Sequence, residues 1–319
     1  MSSPQCVALS GGVGGAKLAL GLSKAMDPEE LLIVANTGDD FDHLGLRICP
    51  DIDTVSYTLG DLANLELGWG RRDETWSFME TLKSLGGEAW FNLGDRDLAL
   101  HVERTQRLQA GESLTAVTDA IREKFGIAAA IAPMSDSDVR TVVETPDGPL
   151  AFQHYFVRDR CEPCVTGFRF EGASEARPSP PFSAAFEGAG PKMVVVCPSN
   201  PFISVDPILA IPGVRDMLQA SAAPMIAVSP IVGGKAIKGP TAKMMNELGM
   251  PATALEVAKH YADLIDGFVL DEADGDVTDA VRGLGLGVLV TNTVMKSLDD
   301  RVSLARDVIA FSEQLNEKK

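Results

Sequence analysis

Ser10-Gly11-Gly12-Val13-Gly14-Gly15-Ala16-Lys17 decides the fold of this chain. The apolar run Cys6-Val7-Ala8-Leu9 leads into it, and Leu18-Ala19-Leu20-Gly21-Leu22 follows with helical spacing. The order is strand, glycine turn, helix start. Four glycines stand in the five positions 11–15. They remove side chains where a backbone must come close to something, at an entropic cost an ordinary turn would avoid. The first N–H groups of a helix have no partner inside it, so such a turn suits an anion. Neither common phosphate motif is present. Counted from Gly11, a P-loop needs glycine where Ala16 stands and a hydroxyl where Leu18 stands. The dinucleotide pattern Gly-x-Gly-x-x-Gly fails at Lys17, which disfavours a nicotinamide-dependent oxidoreductase. The stretch is therefore read as a phosphate cradle made by Ser10, Gly11, Gly12, Val13, Gly14, Gly15 and Lys17.

Working outward, residues 31–35 form a second apolar run that ends in Asn36-Thr37-Gly38-Asp39-Asp40. Further strands are predicted over 193–197, 225–229, 267–270 and 287–291. Helices are predicted over 54–64, 74–85, 97–109, 114–125, 240–248, 254–261, 277–284 and 300–315. Short apolar strands alternating with helices predict an α/β fold with a doubly wound, mostly parallel sheet. The pattern changes in the middle. Residues 141–145 and 150–157 read as a hairpin around Pro146-Asp147-Gly148, 165–170 as one more strand, and 172–181 as a connector. The predicted organisation is a core from 1–130 and 190–319, with 131–189 as an inserted smaller α+β region.

With 319 residues, 45% of them apolar, and a mean hydropathy of +0.07, the chain can bury a large core. A net charge of −17 argues against binding nucleic acid or an acidic membrane through a broad basic face. It leaves room for a phosphorylated small molecule, which needs only local N–H groups, a metal or a few cations. The five cysteines are scattered, so free thiols in a reducing cytoplasm are expected. Cys161-Glu162-Pro163-Cys164 has metal spacing but no second pair, and only His154 is near. No targeting segment or membrane span is expected.

Polar residues recur where the apolar runs end, the place where open α/β sheets bind ligands. Asp51-Ile52-Asp53 lies at a predicted helix start, close to Asp39-Asp40. Carboxylates grouped at one site repel unless a cation offsets them, and without Cys or His beside them they favour Mg²⁺. Asp39, Asp40, Asp51 and Asp53 are thus the candidate metal ligands, with Asp51 and Asp53 the candidate catalytic carboxylates. Lys235 and Lys238 lie in a glycine-rich loop before a helix and suit a diphosphate. Ser199-Asn200 lies between two prolines, a rigid turn suited to a base or ribose. Asp95-Arg96-Asp97 reads equally well as a self-neutralising surface trio. His43 is a candidate ring-binding residue, and the acidic run 271–276 reads as a solvated loop.

Taken in order, these motifs resemble the CofD family, the 2-phospho-L-lactate transferases of coenzyme F420 biosynthesis. The resemblance runs from Leu9 to Leu18 through Asn36-Thr37-Gly38-Asp39-Asp40-Phe41 and Pro50-Asp51-Ile52-Asp53-Thr54. It continues through Leu93-Gly94-Asp95-Arg96-Asp97-Leu98-Ala99, Pro133-Met134-Ser135-Asp136, Ser199-Asn200-Pro201, Val228-Ser229-Pro230-Ile231 and Lys238-Gly239-Pro240. Cys197 departs from the pattern, where glycine would be expected. The resemblance implies a Rossmann-like fold and a Mg²⁺-dependent transfer. A guanosine diphosphate-activated three-carbon acid gives its phospho-acid group to the deazaflavin Fo, and GMP leaves. The acid is 2-phospholactate, phosphoenolpyruvate or 3-phosphoglycerate. It further implies that Asp51 lies near Fo, that Asp95 and Arg96 help to bind it, and that Asn36, Thr37, Ser135 and Asp136 belong to the substrate site. The expected partners are those two small molecules, with a homodimer common for the fold. The competing resemblance is to gluconeogenesis-factor proteins, non-enzymatic regulators that bind nucleotide sugars and share the glycine loop.

Overall fold

Seven short apolar runs join one parallel sheet in the computed structural model, which describes residues 4–65 and 68–317. In chain order they are β1 (Cys6–Ser10), β2 (Leu31–Ala35), β3 (Ala130–Pro133), β4 (Met193–Val196), β5 (Met225–Val228), β6 (Gly267–Asp271) and β7 (Gly287–Thr291). In space they run 3-2-1-4-5-6-7, and every pair is parallel. The inner strands β1, β2, β4, β5 and β6 are buried along their whole length, which is why they read as continuous apolar runs. Successive side chains still face opposite ways. Val7, Leu9, Val194 and Val196 enter one core, and Cys6, Ala8, Met193 and Val195 enter the other. Helices therefore cover both faces, as in a Rossmann-like fold. The strand order reverses between β1 and β4, the switch point at which such sheets bind ligands.

Four helices matter for the site: α1 (Gly12–Ala25), α2 (Pro50–Leu59), α3 (Asp95–Gln109) and α4 (Leu298–Asn316). α1 packs between α2 and α4. At Gly21 a Cβ would lie 2.1 Å from the Arg301 carbonyl, so α1 and α4 meet backbone to backbone.

Three expectations need correction. Edge strand β3 was not anticipated, because Ala128-Ala129-Ala130-Ile131-Ala132 has weak strand character. The expected boundary at residue 131 falls inside it. Helix α2 begins at Pro50 instead of 54 and ends at Leu59, with proline in its favoured first turn. The second hairpin arm, expected over 150–157, is only Leu150–Ala151 and passes into a helical turn. Phe152 and Gln153 are both buried, and adjacent strand residues cannot face the same side. The first arm, Arg140–Glu144, also pairs with Gly167–Glu171, giving a separate three-stranded antiparallel sheet. No described helix is long and apolar enough to cross a membrane.

Candidate active site

A cleft of about 650 Å³ opens over the carboxyl ends of the strands. Its floor is the glycine turn, which is zipped to the loop after β4. The Gly11 N–H donates to Ser199 Oγ at 3.2 Å, and the Ser199 hydroxyl donates to the Gly11 carbonyl at 2.8 Å. A Cβ on Gly14 would stand 2.2 Å from the Pro198 carbonyl, and Gly12 has a φ of +61°. The glycines thus serve the closeness of two loops as much as access for a ligand. The Gly12 N–H is taken by Asp51 Oδ1 at 2.6 Å. The following first-turn N–H groups, on Val13 and Gly14, have no intrahelical partner by position, and both residues line the cleft.

Asp51, on the first turn of α2, is 4% exposed. Its Oδ2 accepts from Asn36 Nδ2 at 2.9 Å, and Asn36 is itself fixed by the Ile203 carbonyl and the Gly38 N–H. Burial pushes the Asp51 carboxyl up to about 6, against the pull of the Asn36 and Gly12 hydrogen bonds. Asp39 stands beside it. Burial first, and the Asp51 charge second, hold Asp39 well above the usual carboxylate range. Its buried Oδ1 has no partner, and no basic side chain pairs with either carboxylate among the described residues. Two buried, mutually repelling carboxylates with one orphaned oxygen suit a hard divalent cation that keeps waters and substrate oxygens as its other ligands.

Asp53 does something different. Residues two apart on a helix point about 200° apart, and Asp53 faces α3. Arg104, 1% exposed, grips it with Nη1 at 3.0 Å from Oδ2 and with Nη2 on Oδ1. Next to this pair, His101 Nε2 is 3.3 Å from Asp97 Oδ2, and the Tyr57 hydroxyl donates to Asp97 Oδ1. Burial would raise Asp97, but the His101 and Tyr57 bonds hold it below the usual range. Asp53, Tyr57, Asp97 and His101 form a polar wall of the cleft. Tyr57 and His101 are not candidates from the sequence, and Asp97 enters there only as part of the Asp95-Arg96-Asp97 trio, although Asp97 and His101 carry the four-residue helical spacing that marks a pair.

Asp40 turns away from Asp39 into a second cavity of about 130 Å³, with Thr37, Arg47, Asp136 and Arg140. Burial pushes its carboxyl up to about 7, against the Cys49 thiol and nearby arginines. The four aspartates expected to share a metal are therefore split: Asp39 and Asp51 meet, Asp53 is bound to Arg104, and Asp40 is elsewhere. No group of three potential metal-binding side chains occurs among the described residues.

Of the other expected residues, Gly11, Gly12, Val13, Gly14, Lys17, Ser199, Asn200 and Lys238 line the cleft. Lys17 Nζ donates to the Met295 carbonyl at 2.9 Å and Lys238 Nζ to the Gly68 carbonyl at 3.2 Å. The remainder do not reach it. Ser10 and Gly15 are buried behind the turn, and Asn36 acts through Asp51. Thr37 and Asp136 border the smaller cavity. Ser135 donates to the Arg177 carbonyl. Asp95 takes the N–H groups of Ser77 and Phe78, capping a neighbouring helix, and Arg96 reaches Asp73. Lys235 is exposed in a small hairpin. His43 is buried among Phe41, Trp90 and Phe91 and does not border the cleft. The mouth is aromatic, with Trp69, Phe91, Phe152 and Phe156 lining it.

Fold and cleft define a Rossmann-like α/β protein with its main cleft at the switch point of the sheet. The family model described as 2-phospho-L-lactate transferase CofD matches residues 6–283, and the chain belongs to that family of transferase enzymes. It is 41% identical over 316 residues to a phosphoenolpyruvate transferase of Kitasatospora aureofaciens, covering 97% of this chain and 98% of the relative. It is 38% identical over 303 residues to a 2-phospho-L-lactate transferase of Methanosarcina mazei, covering 95% and 99%. A UPF0052-family protein of Bacillus halodurans shares the fold, with a TM-score of 0.62 at 13% identity over 97% of this chain and 99% of that one.

Proposed function

We propose that this enzyme moves a phospho-acid group from a guanosine diphosphate-activated three-carbon acid to the deazaflavin Fo in coenzyme F420 biosynthesis, releasing GMP. The observation that carries this reading is the buried Asp39–Asp51 pair, which no basic side chain among the described residues compensates, beside the glycine turn. Asp39 and Asp51 would hold Mg²⁺ there. When bound, the ion neutralises diphosphate charge and polarises the phosphoryl group under attack. The Val13 and Gly14 N–H groups, Lys17 and Lys238 cradle the diphosphate. Ser199-Asn200 borders the nucleoside side. The aromatic mouth receives the flat ring of the acceptor, and the Asp53–Arg104–His101–Asp97 wall keeps the acceptor side rigid.

The terminal ribityl hydroxyl attacks the phosphorus that carries the acid. A new P–O bond forms to the ribityl oxygen, and the bridging P–O bond to the guanylyl phosphate breaks. GMP leaves with the electron pair, and Asp51 orients the attacking hydroxyl and takes up its proton. The relatives are named for two different acids at nearly equal identity, 41% and 38%, so product mass identifies the acid. Incubation with Fo, Mg²⁺ and each of the three donors should give one product heavier than Fo by a single phospho-acid group, with equimolar GMP. Fo left unchanged by every donor rejects the proposal. Binding of a nucleotide sugar without any transfer would favour the regulator reading instead.

A further inference from the structure

The run Asp271-Glu272-Ala273-Asp274-Gly275-Asp276 was expected to be a solvated acidic loop. Two of its carboxylates are buried instead, Asp271 at 6% exposure and Asp274 at 8%. Asp271 ends β6 in register with Thr291 of β7. Its Oδ1 accepts the Ala273 N–H at 3.0 Å. Its Oδ2 reaches across to one residue twice, accepting the Thr293 N–H at 2.8 Å and the Thr293 hydroxyl at 3.0 Å. Asp274 takes the Gly233 N–H. The turn therefore grips two segments that border the cleft, one of them Thr293-Val294-Met295.

That grip leads to a charge. The Met295 carbonyl accepts Lys17 Nζ at 2.9 Å. No carboxylate pairs with Lys17 among the described residues. Burial, with Arg301 and Lys238 nearby, makes its protonated form less favourable than usual. An ammonium among other cations is drawn to any anion, so its position depends on the carbonyl that holds it. The carbonyl's position depends in turn on Thr293, and Thr293 is fixed by Asp271. Residues 293–295 lie beyond residue 283, where the family match stops.

We propose that Asp271 is a positioning residue for the transfer: it fixes the 293–295 wall and, through the Met295 carbonyl, aims the Lys17 ammonium at the donor's diphosphate. The role in transfer rests on the function proposed above; the link from Asp271 through Lys17 to a diphosphate does not need Fo or a guanylyl donor. Inorganic pyrophosphate with Mg²⁺ is titrated calorimetrically into the wild type, Asp271→Ala, Lys17→Ala and the double variant. Each single change should weaken binding about tenfold, the scale of one charge-assisted hydrogen bond. The double variant should lose little more, because both act through one ammonium. The donor KM should rise in parallel while the Fo KM stays within about twofold, a split that general loosening of the fold would not give. If Asp271→Ala does not fold, Thr293→Val replaces it in the same cycle, with about a threefold loss expected from one hydrogen bond. A wild type that binds no pyrophosphate, an unchanged affinity in both Asp271→Ala and Thr293→Val, or fully additive losses overturn the proposal. Transfer failing with every donor while the cycle holds would reject the proposed function alone.

Discussion

Asp51→Asn should abolish transfer and yet make the metal-free protein more stable. In the folded chain the Asp51 carboxyl is raised from the ordinary 3.8 to about 6, chiefly by burial. Between those pH values the native state binds more protons than the unfolded state, so stability falls as pH rises through the window. The penalty is absent below about pH 4 and complete above about pH 6. At 1.36 kcal/mol per tenfold, it amounts to ~3 kcal/mol. Asparagine avoids it but cannot accept from both the Gly12 N–H and Asn36 Nδ2, which returns ~1 kcal/mol. The net gain is ~2 kcal/mol. With unfolding entropy of about 2.1 cal/mol/K per residue over 319 residues, the melting temperature should rise by ~3 °C. Calorimetric melts without Mg²⁺ at pH 7.5 and pH 4 test this. The variant should melt higher at pH 7.5 and no higher at pH 4. Added Mg²⁺ should raise the wild type's melting temperature and leave the variant's nearly unchanged. A variant that melts below the wild type at pH 7.5 would refute the argument that burial of this charge strains the metal-free site.

Two further outcomes follow from the loops. Gly14→Ala forces a Cβ to within 2.2 Å of the Pro198 carbonyl; the cost should be about 1–3 kcal/mol in chemical denaturation, with weaker donor binding. Gly275→Ala, where a Cβ would meet nothing within 4 Å, serves as the neutral control. Lys238→Ala should raise the donor KM several-fold, whereas Lys235→Ala should change it less than twofold, since only Lys238 borders the cleft.

The central sheet was readable because its buried parallel strands are short apolar runs stopped by glycine or polar residues, as at Leu9-Ser10-Gly11 and Ala35-Asn36. Strand β3 was not, because alanines carry no strand signal of their own and its place comes from pairing with β2. Among the site residues, chemical type was visible but role was not. Asp51 and Asp53 look alike in sequence. What separates them is Arg104, 51 residues after Asp53, and no local pattern announces that pairing. Asp39 and Asp40 are split in the same way, by which side of one turn each carboxylate faces. Of the charged trio Asp95-Arg96-Asp97, only Asp97 lines the cleft, joined by His101 one helical turn on.

The bond from Lys17 to the Met295 carbonyl spans 278 positions. On a ribosome adding about 5–20 residues per second, those positions take roughly 14–56 s to make. Once Gln109 has been added, the emerging chain carries the residues of the glycine turn, Asp39, Asp51 and the α2–α3 wall, but its lysine still has nothing to hold it. β1 likewise waits for Met193 and its neighbours before gaining its second partner strand. The fixed Lys17 ammonium is thus among the last features the molecule acquires during synthesis, and a chain interrupted before residue 295 leaves the ribosome with the α2–α3 wall and no carbonyl to hold that lysine.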